Sequence, residues 1–304
     1  MFNLRQTISR LQQTNDKALY LAVLRVAVSL WFLKELFFRW PAFEILYSSK
    51  SFLSLSPDPS LAMFGINTEL LKENYLLVIY AGLLLLLLNL FGIGRNVTSF
   101  LLFLVFALIY NMNNRYTNAG DKMSVILLFY LSFANTFSHL TLFKRKPLAD
   151  SKEKLYNLVS NLASYSIITN LSLVYFIAGL VKLMNPAWQN GTAMYYFLSD
   201  ERFSVFASGG KPVNLPAVLL YIVNYGTILL ELAFPFLMLN KKTRNITLIA
   251  CFIMHLGIYS FLMIYGMSIL FVIQYGMLYS NEEVKNFWKK LSALFAKLFR
   301  FTKK

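Results

Sequence analysis

Charged side chains are scarce in this chain of 304 residues, of which 14% are Asp, Glu, Lys or Arg and 57% are hydrophobic. A soluble domain carries about a quarter charged residues, so this composition excludes an ordinary soluble protein. Several apolar runs also reach the ~18 residues that a helix needs to cross a lipid bilayer. The sequence therefore predicts a multi-pass membrane protein.

Cysteine and histidine are scarcer still, with one cysteine and two histidines in the chain. Cys251 alone excludes an internal disulfide and a CxxC redox pair. Cys251 and His255 share a helix face at a spacing of four residues, but these side chains are too few for a usual zinc site, and we expect no metal. We also expect no cleavable signal peptide, because the first apolar segment lacks a small-residue cleavage site.

The apolar spans predict an all-α polytopic membrane bundle of about eight transmembrane helices. The last two spans are either two helices or one helix with a re-entrant segment. The spans cover residues 19–38, 74–93, 97–112, 123–143, 157–183, 216–239, 246–264 and 267–280. With the N- and C-termini both cytoplasmic, the inner segments hold 19 of the 29 Lys and Arg residues and the outer loops hold seven. This positive-inside bias accounts for the net charge of +15 without nucleic acid as a partner.

Polarity divides the chain into three regions. Residues 1–18 are polar with apolar side chains at helical spacing, and we expect an N-terminal interfacial segment there. Residues 19–280 form the transmembrane domain, and residues 281–304 form a basic amphipathic C-terminal helix. Lysines opposite an apolar stripe suit an anionic inner leaflet, so membrane lipids are expected partners.

Lys182 is the first candidate for chemistry, at the outer end of the fifth span. Tyr175 and Gly179 precede it by seven and three residues, so they share its helix face. A lysine in an apolar groove loses hydration and becomes a neutral amine that is able to act as a base. The alternative is an interfacial anchor, whose ammonium reaches the headgroups and has no chemical role.

Two more ionisable residues lie inside predicted spans. Glu231 and His255 are each twelve residues from Thr243, at the turn between the sixth and seventh spans. Equal offsets place them at similar depth, so we predict a hydrogen bond or ion pair between them. Glu231 lies about fifteen residues from the outer end of its helix, which is ~22 Å at ~1.5 Å per residue. We therefore expect no direct contact between Glu231 and Lys182.

A polar outer loop at 111–122 contains Arg115 and Asp121. Asp121 is expected to cap the fourth helix. The alternative is that Asp121, with Arg115, contributes to a polar lid over Lys182 and to substrate binding.

The stretch "VYFIAGLVKLMNPAWQNGTAMYYFLSD" resembles the signature of the HTTM (horizontally transferred transmembrane) domain family, which includes the membrane domain of vitamin K-dependent gamma-carboxylase. The residues that carry the resemblance are Ala178, Gly179, Lys182, Leu183, Trp188, Gly191 and Tyr195. The resemblance implies that Lys182 is the base that deprotonates a reduced lipoquinone, vitamin K or menaquinone, near the extracytoplasmic face. It implies apolar walls at Tyr175, Trp188 and Tyr195. Glu231 and His255 are further catalytic candidates because they are ionisable and lie inside spans, and the alternative is a bond that only pairs their two helices.

The sequence departs from the carboxylase pattern in the outer regions. It ends about 25 residues after the last span, without the large outer domain that helps to hold a peptide substrate, and Arg115 follows Asn113-Asn114 where the carboxylase has a histidine. The compact size is similar to sporulation-delaying-protein B, an HTTM protein in bacterial peptide-toxin maturation, which implies a bacterial cell (inner) membrane. Two functions stay open. One is a carboxylase-like enzyme (a lyase) that uses a lipoquinone, and the other is a non-catalytic component for maturation or export of a secreted peptide toxin, with a peptide or protein substrate on the extracytoplasmic side.

Overall fold

The computed structural model describes residues 4–50, 61, 63–113, 117–143, 149–207 and 213–301. These residues form helices and connecting turns, and none of the described residues lies in a β-strand, so the predicted all-α fold class is confirmed. The chain divides into two compact units. The first unit combines Met1–Ser166 with Tyr279–Lys304, and the second is Ile167–Leu278.

The helices are numbered here in chain order. The first eight are α1 Leu4–Gln13, α2 Ala18–Arg39, α3 Phe43–Tyr47, α4 Thr68–Glu73, α5 Tyr75–Phe91, α6 Arg95–Met112, α7 Ala119–Phe133 and α8 Asp150–Leu183. The remaining six are α9 Pro186–Gln189, α10 Ala193–Ser199, α11 Ala217–Leu237, α12 Lys241–Phe261, α13 Tyr265–Gln274 and α14 Asn281–Phe301. Short 3-10 turns cover Trp40–Ala42 and Tyr275–Leu278.

Four of these helices are long and apolar enough to cross a membrane, namely α6, α8, α11 and α12. Two shorter apolar helices, α5 and the segment Tyr265–Leu278, accompany them. Every predicted span overlaps a helix, but the boundaries in the middle of the chain were wrong. The helix that overlaps the predicted span 123–143 ends at Phe133. The helix that contains the predicted span 157–183 begins earlier, at Asp150.

The helix ends early at Phe133 because side chains from elsewhere take over its backbone hydrogen bonds. Ala134 has extended backbone angles, and Asn96 Nδ2 donates to the carbonyls of Ser132 and Ala134 at 2.7 and 3.0 Å. Side-chain donors satisfy carbonyls that a continuing helix would have satisfied with its own amides. Hydropathy alone does not predict that distant side chains will replace the helix's own amides as hydrogen-bond donors.

Arg25, the eighth residue of α2, is fully buried in the first unit. Its guanidinium donates to four backbone carbonyls: those of Asn89, Leu90 (2.9 Å), Thr136 (3.2 Å) and Leu140. A charge inside a membrane helix is expensive unless it is paired or hydrogen-bonded, and the four carbonyls supply that compensation. Arg25 thereby joins α2 to the end of α5 and to the non-helical residues after α7.

The two amphipathic helices meet at a polar contact of the first unit. Asn281, at the start of α14, donates its backbone amide to the Asp16 carbonyl at 2.8 Å and accepts from the Leu19 amide at 3.0 Å. Lys17 Nζ donates to the Tyr279 carbonyl at 2.8 Å. These bonds fix α14 beside the α1–α2 turn. Placement of the two helices at the membrane interface stays a prediction.

A close helix contact organises the second unit. Gly179, on α8, faces Leu232, on α11, and a Cβ at Gly179 would lie 2.9 Å from Leu232 Cγ and 3.0 Å from its backbone nitrogen. Only a residue without a side chain permits this approach. The contact brings the C-terminal part of α8 against the last third of α11.

Candidate functional site

Lys182 and Glu231 form an ion pair at the contact of α8 with α11. Lys182 Nζ lies 2.8 Å from Glu231 Oε1 and 2.7 Å from Oε2, so both carboxylate oxygens accept from one ammonium. The side chain of Glu231 is 8% exposed and that of Lys182 is 21% exposed. The pair is therefore largely shielded from solvent, with the lysine as its more accessible member.

The predicted separation of these two residues was wrong. It assumed that α8 ends level with the start of α11, whereas the segment after Lys182 forms α9 and α10 and runs alongside α11. Asn224 Nδ2 donates to the Trp188 carbonyl at 2.8 Å, and Tyr225 OH donates to the Gln189 carbonyl at 2.8 Å. The end of α8 therefore lies about two helical turns further along α11, beside Glu231.

The predicted Glu231–His255 bond was also wrong. His255 Nε2 lies 2.7 Å from Tyr175 OH, and the same hydroxyl lies 2.6 Å from Tyr275 OH. Equal offsets from a turn fix depth along two helices but not the direction of each side chain around its axis. Glu231 uses both oxygens on Lys182, while His255 joins a chain of tyrosine hydroxyls.

Aromatic rings enclose this hydroxyl chain. Tyr175 is 2% exposed and stacks on Phe234, with ring centroids 4.1 Å apart. Phe271 meets Tyr175 edge-on at 5.1 Å and stacks on His255 at 5.0 Å. Tyr175 is thus buried behind the ion pair and does not form the wall of an open groove. Tyr275, which the sequence reasoning missed, had no local signal, since it is one tyrosine within an apolar span.

The His255 ring keeps one polar atom free. Its Nδ1 is buried and has no hydrogen-bond partner among the described residues. Cys251, one turn earlier on α12, is buried beside Tyr175 and Tyr275. Within the described part of the chain, no group of three or more His, Cys, Asp and Glu residues is arranged to hold a metal ion.

Trp188 connects the ion pair to a cleft. Lys182 Nζ lies 5.2 Å from the centroid of the Trp188 ring, within the range of a cation–π contact. The cleft has a volume of about 220 Å³, and its lining residues are Asn185, Ala187, Trp188, Ala193, Tyr196, Phe197 and Asp200. Tyr195 lies outside this lining, and its ring packs edge-on against Tyr196 at 5.7 Å. The arrangement offers an aromatic surface next to a partly accessible ammonium.

Asp121 lies in the first unit, where it has structural partners. Its Oδ2 accepts from Arg39 at 2.7 Å and from the Asn118 backbone amide at 3.0 Å. The Asn118 side chain accepts from the Asp121 amide in return, which completes a capping box at the start of α7. The predicted helix cap is confirmed. Arg115 lies outside the described residues, and the lid over Lys182 stays a prediction.

Comparison with known proteins places this architecture in a family. The sequence model of the HTTM domain matches residues 16–282. A relative in Bacillus subtilis (strain 168), the uncharacterized protein YitO, is 24% identical over 286 residues, which cover 89% of this chain and 90% of YitO. No solved structure matches the chain. Because the match spans the helices of both units and the Lys182–Glu231 pair, the chain belongs to the HTTM domain family.

Proposed function

We propose that this HTTM-family membrane protein is an enzyme in which the Lys182–Glu231 pair removes a proton from a reduced lipoquinone. The observation that carries the proposal is the buried, doubly hydrogen-bonded ion pair beside the aromatic cleft. Ionisable residues inside membrane helices are costly and usually serve a function. Desolvation and a close partner are also the two conditions that make lysine a proton-transfer group.

The residues of the cleft fit a flat ring system. Trp188, Tyr196 and Phe197 contribute three aromatic side chains to a cleft of about 220 Å³. They would hold a quinone ring by stacking, and Asn185 offers a polar side chain at the same cleft. When bound, a reduced lipoquinone supplies acidic hydroxyl groups and reducing electrons. Trp188 links this binding surface to the Lys182 ammonium.

Lys182 becomes a base by passing its own proton to Glu231. In the ionised pair the ammonium has no lone pair, so it accepts no proton from a substrate. Transfer of one proton from Nζ to an Oε over 2.7–2.8 Å gives a neutral amine and a neutral carboxylic acid. A site of low dielectric disfavours separated charges, which favours this neutral pair relative to water. The free amine then accepts the substrate proton, and Glu231 keeps the proton it received.

Tyr175, His255 and Tyr275 act in this proposal as positioning residues. Their hydrogen bonds join α8, α12 and the turn after α13, which fixes the rotation of α8 seven residues before Lys182. Side chains locked by packing and hydrogen bonds keep a reactive group within the narrow geometry that proton transfer requires.

We further propose eight membrane spans with both termini in the cytoplasm of a bacterial cell, and a cleft facing the extracytoplasmic side. The charge bias of the loops supports this orientation. Labelling with a membrane-impermeant maleimide tests it, in a Cys251→Ser background with single cysteines at Lys50, Arg202, Lys154 and Lys242. The proposal requires labelling of intact cells at the first two positions only.

The enzyme proposal is tested by comparing the purified wild-type protein with Lys182→Arg. This variant keeps a positive charge beside Glu231. It cannot act as a base, because arginine does not lose its proton in proteins. Lys154→Ala, at an exposed lysine of the same helix, is the matched control. We expect reduced quinone to copurify with all three proteins. Turnover of added reduced menaquinone should fall about 10²–10⁴-fold in Lys182→Arg alone, the usual contribution of general base catalysis.

Two results refute the enzyme proposal. One is full turnover by Lys182→Arg, which removes the base role. The other is a wild-type protein that carries no quinone, together with a Lys182→Ala strain that keeps its cellular phenotype. The second result instead favours a non-catalytic membrane component in peptide maturation or export.

A further inference from the structure

Trp188 is the residue that the aromatic cleft and the Lys182 ammonium have in common. Its ring lines the cleft, whereas neither Lys182 nor Glu231 is among the described residues of the lining. Lys182 Nζ lies over the same ring, 5.2 Å from its centroid. The ion pair therefore contacts the wall of the cleft and not the cleft itself.

A ligand stacked on Trp188 cannot contact Lys182 Nζ while the ring keeps this position. The ammonium already occupies one face of the indole ring, so a flat ligand stacks on the other face. Stacked rings lie about 3.5 Å apart, which places the ligand roughly 7–9 Å from Nζ. Proton transfer needs about 2.6–3.2 Å between the heavy atoms. A substrate in the cleft therefore meets the proposed base only after the Trp188 side chain has moved.

The Trp188 ring can turn while its backbone stays in place. The Trp188 carbonyl accepts from Asn224 Nδ2 at 2.8 Å, and the Trp188 amide donates to the Asn185 carbonyl at 3.1 Å, so both backbone groups are held. Ala193, a small residue, packs against the ring and also lines the cleft. The free volume of the cleft, about 220 Å³, thus adjoins the ring. Rotation between staggered side-chain rotamers needs only free space of this kind.

The contact that holds the ring over Lys182 depends on the charge of the lysine. A cation–π contact requires a cation, and the ionised pair with Glu231 supplies one. Transfer of the Nζ proton to Glu231 leaves a neutral amine, which no longer attracts the ring as a cation does. The proton transfer that creates the base therefore also weakens the hold on the ring.

We propose that Trp188 is a charge-controlled gate between the cleft and Lys182. With the ammonium present, the ring stays over Nζ and separates it from the cleft. With the neutral amine, the ring turns aside and the substrate reaches the nitrogen lone pair. This inference rests on the base role proposed for Lys182, and it adds that the substrate meets the lysine only in the protonation state that is able to react.

Fluorine NMR of the full chain, with 5-fluorotryptophan at its four tryptophans, tests the gate without any substrate. Trp188→Phe assigns the Trp188 signal, and a soluble gadolinium chelate reports the exposure of the ring through paramagnetic relaxation. Lys182→Arg and Glu231→Gln both keep a cation at the ring, so both should match the wild type. Lys182→Met removes the cation, and the relaxation rate should rise roughly 2- to 30-fold, the change in open population that loss of one cation–π contact gives.

Two further variants complete the experiment. Lys182→Met leaves the buried Glu231 without its cation, so the double variant Lys182→Met/Glu231→Gln, which has neither charge, is measured beside it. The double variant should show the same rise. Lys154→Ala, at an exposed lysine of the same helix, is the matched control and should leave the Trp188 signal unchanged. Circular dichroism of each variant verifies that it is folded.

Three results overturn the gate. An unchanged Trp188 signal in Lys182→Met and in the double variant shows that the charge does not hold the ring. An equal rise in Lys182→Arg or Glu231→Gln assigns the change to packing instead of charge. A rise in Lys154→Ala shows a general loosening of α8. None of these measurements involves a quinone or its turnover, so failure of the gate is distinguishable from failure of the enzyme proposal.

Discussion

Removal of Lys182 alone should destabilise the fold more than removal of Lys182 and Glu231 together. The perturbation is a double-mutant cycle of Lys182→Met, Glu231→Gln and the double variant. In Lys182→Met a carboxylate that is 8% exposed loses the one cation that pairs with it among the described residues, and an uncompensated buried charge costs about 3–5 kcal/mol. The free energy of unfolding should fall by about that amount.

Glu231→Gln should lower the free energy of unfolding by less than Lys182→Met does, because Lys182 keeps other favourable contacts. Lys182 is 21% exposed and keeps the Trp188 ring at 5.2 Å after Glu231→Gln, and a cation–π contact contributes about 0.5–2 kcal/mol. We therefore expect a loss of about 1–3 kcal/mol for Glu231→Gln. The double variant leaves no buried charge at this site. Its free energy of unfolding should therefore fall by less than that of Lys182→Met alone.

The assay is reversible unfolding in mixed micelles, followed by circular dichroism, with the coupling energy taken from the four proteins. A matched control is Lys154 with Asp150, an exposed pair four residues apart on α8, for which a coupling of about 0.3–0.5 kcal/mol is expected. Additive losses in the Lys182–Glu231 cycle, with coupling below about 0.5 kcal/mol, would refute the reasoning. The pair would then contribute no more than a surface salt bridge.

Three further predictions concern packing, buried hydrogen bonds and pH. Gly179→Ala places a methyl 2.9 Å from Leu232, so it should lower the free energy of unfolding by about 1–3 kcal/mol, whereas an unchanged value would disprove the close contact. Arg25→Met removes the guanidinium from four carbonyls, of which only that of Asn89 keeps another donor among the described residues, the Gly92 amide, so the free energy of unfolding should fall by on the order of 3 kcal/mol or more in the same assay, and a loss near zero would show that water replaces the guanidinium. Hydrogen bonds from Arg202 lower the pKa of Asp200 to about 2, so their stabilising effect is complete above the ordinary carboxyl pKa of ~4 and is lost as the pH falls through about 2. Carboxyl NMR should show this midpoint, and Arg202→Gln should return it to the ordinary value.

Hydropathy predicted the helices well wherever the surrounding lipid determines the pattern. The first span was predicted at 19–38, and the helix there covers Ala18–Arg39, because a long apolar run satisfies its backbone groups by forming a helix. The same reasoning failed at Phe133. There the helix ends because Asn96 and Arg25 donate hydrogen bonds to its last carbonyl and to those that follow. Hydropathy is averaged over neighbouring residues, so it does not detect donors that are distant in sequence.

The sequence predicted which residues belong to the candidate site but not which of them contact one another. Trp188 was expected as an apolar wall of the site of Lys182, and its ring lies 5.2 Å from the Lys182 ammonium, while its role as a wall stays a prediction. The partner of Lys182 was not predictable, because it depends on the course of the chain after the helix, where α9 and α10 form. Tyr275 lies 100 residues from Tyr175 in sequence, so only the assembled unit brings their hydroxyls together.

The carbonyls that bind Arg25 belong to residues that follow it by 64 to 115 positions. During synthesis, the first long helix is therefore complete well before its internal cation has any of these partners. The last of them, at Leu140, follows α7, so the Arg25 guanidinium has all four carbonyls only after α5 and α7 have docked against α2. The final packing of α2 therefore depends on residues that are made much later in the chain.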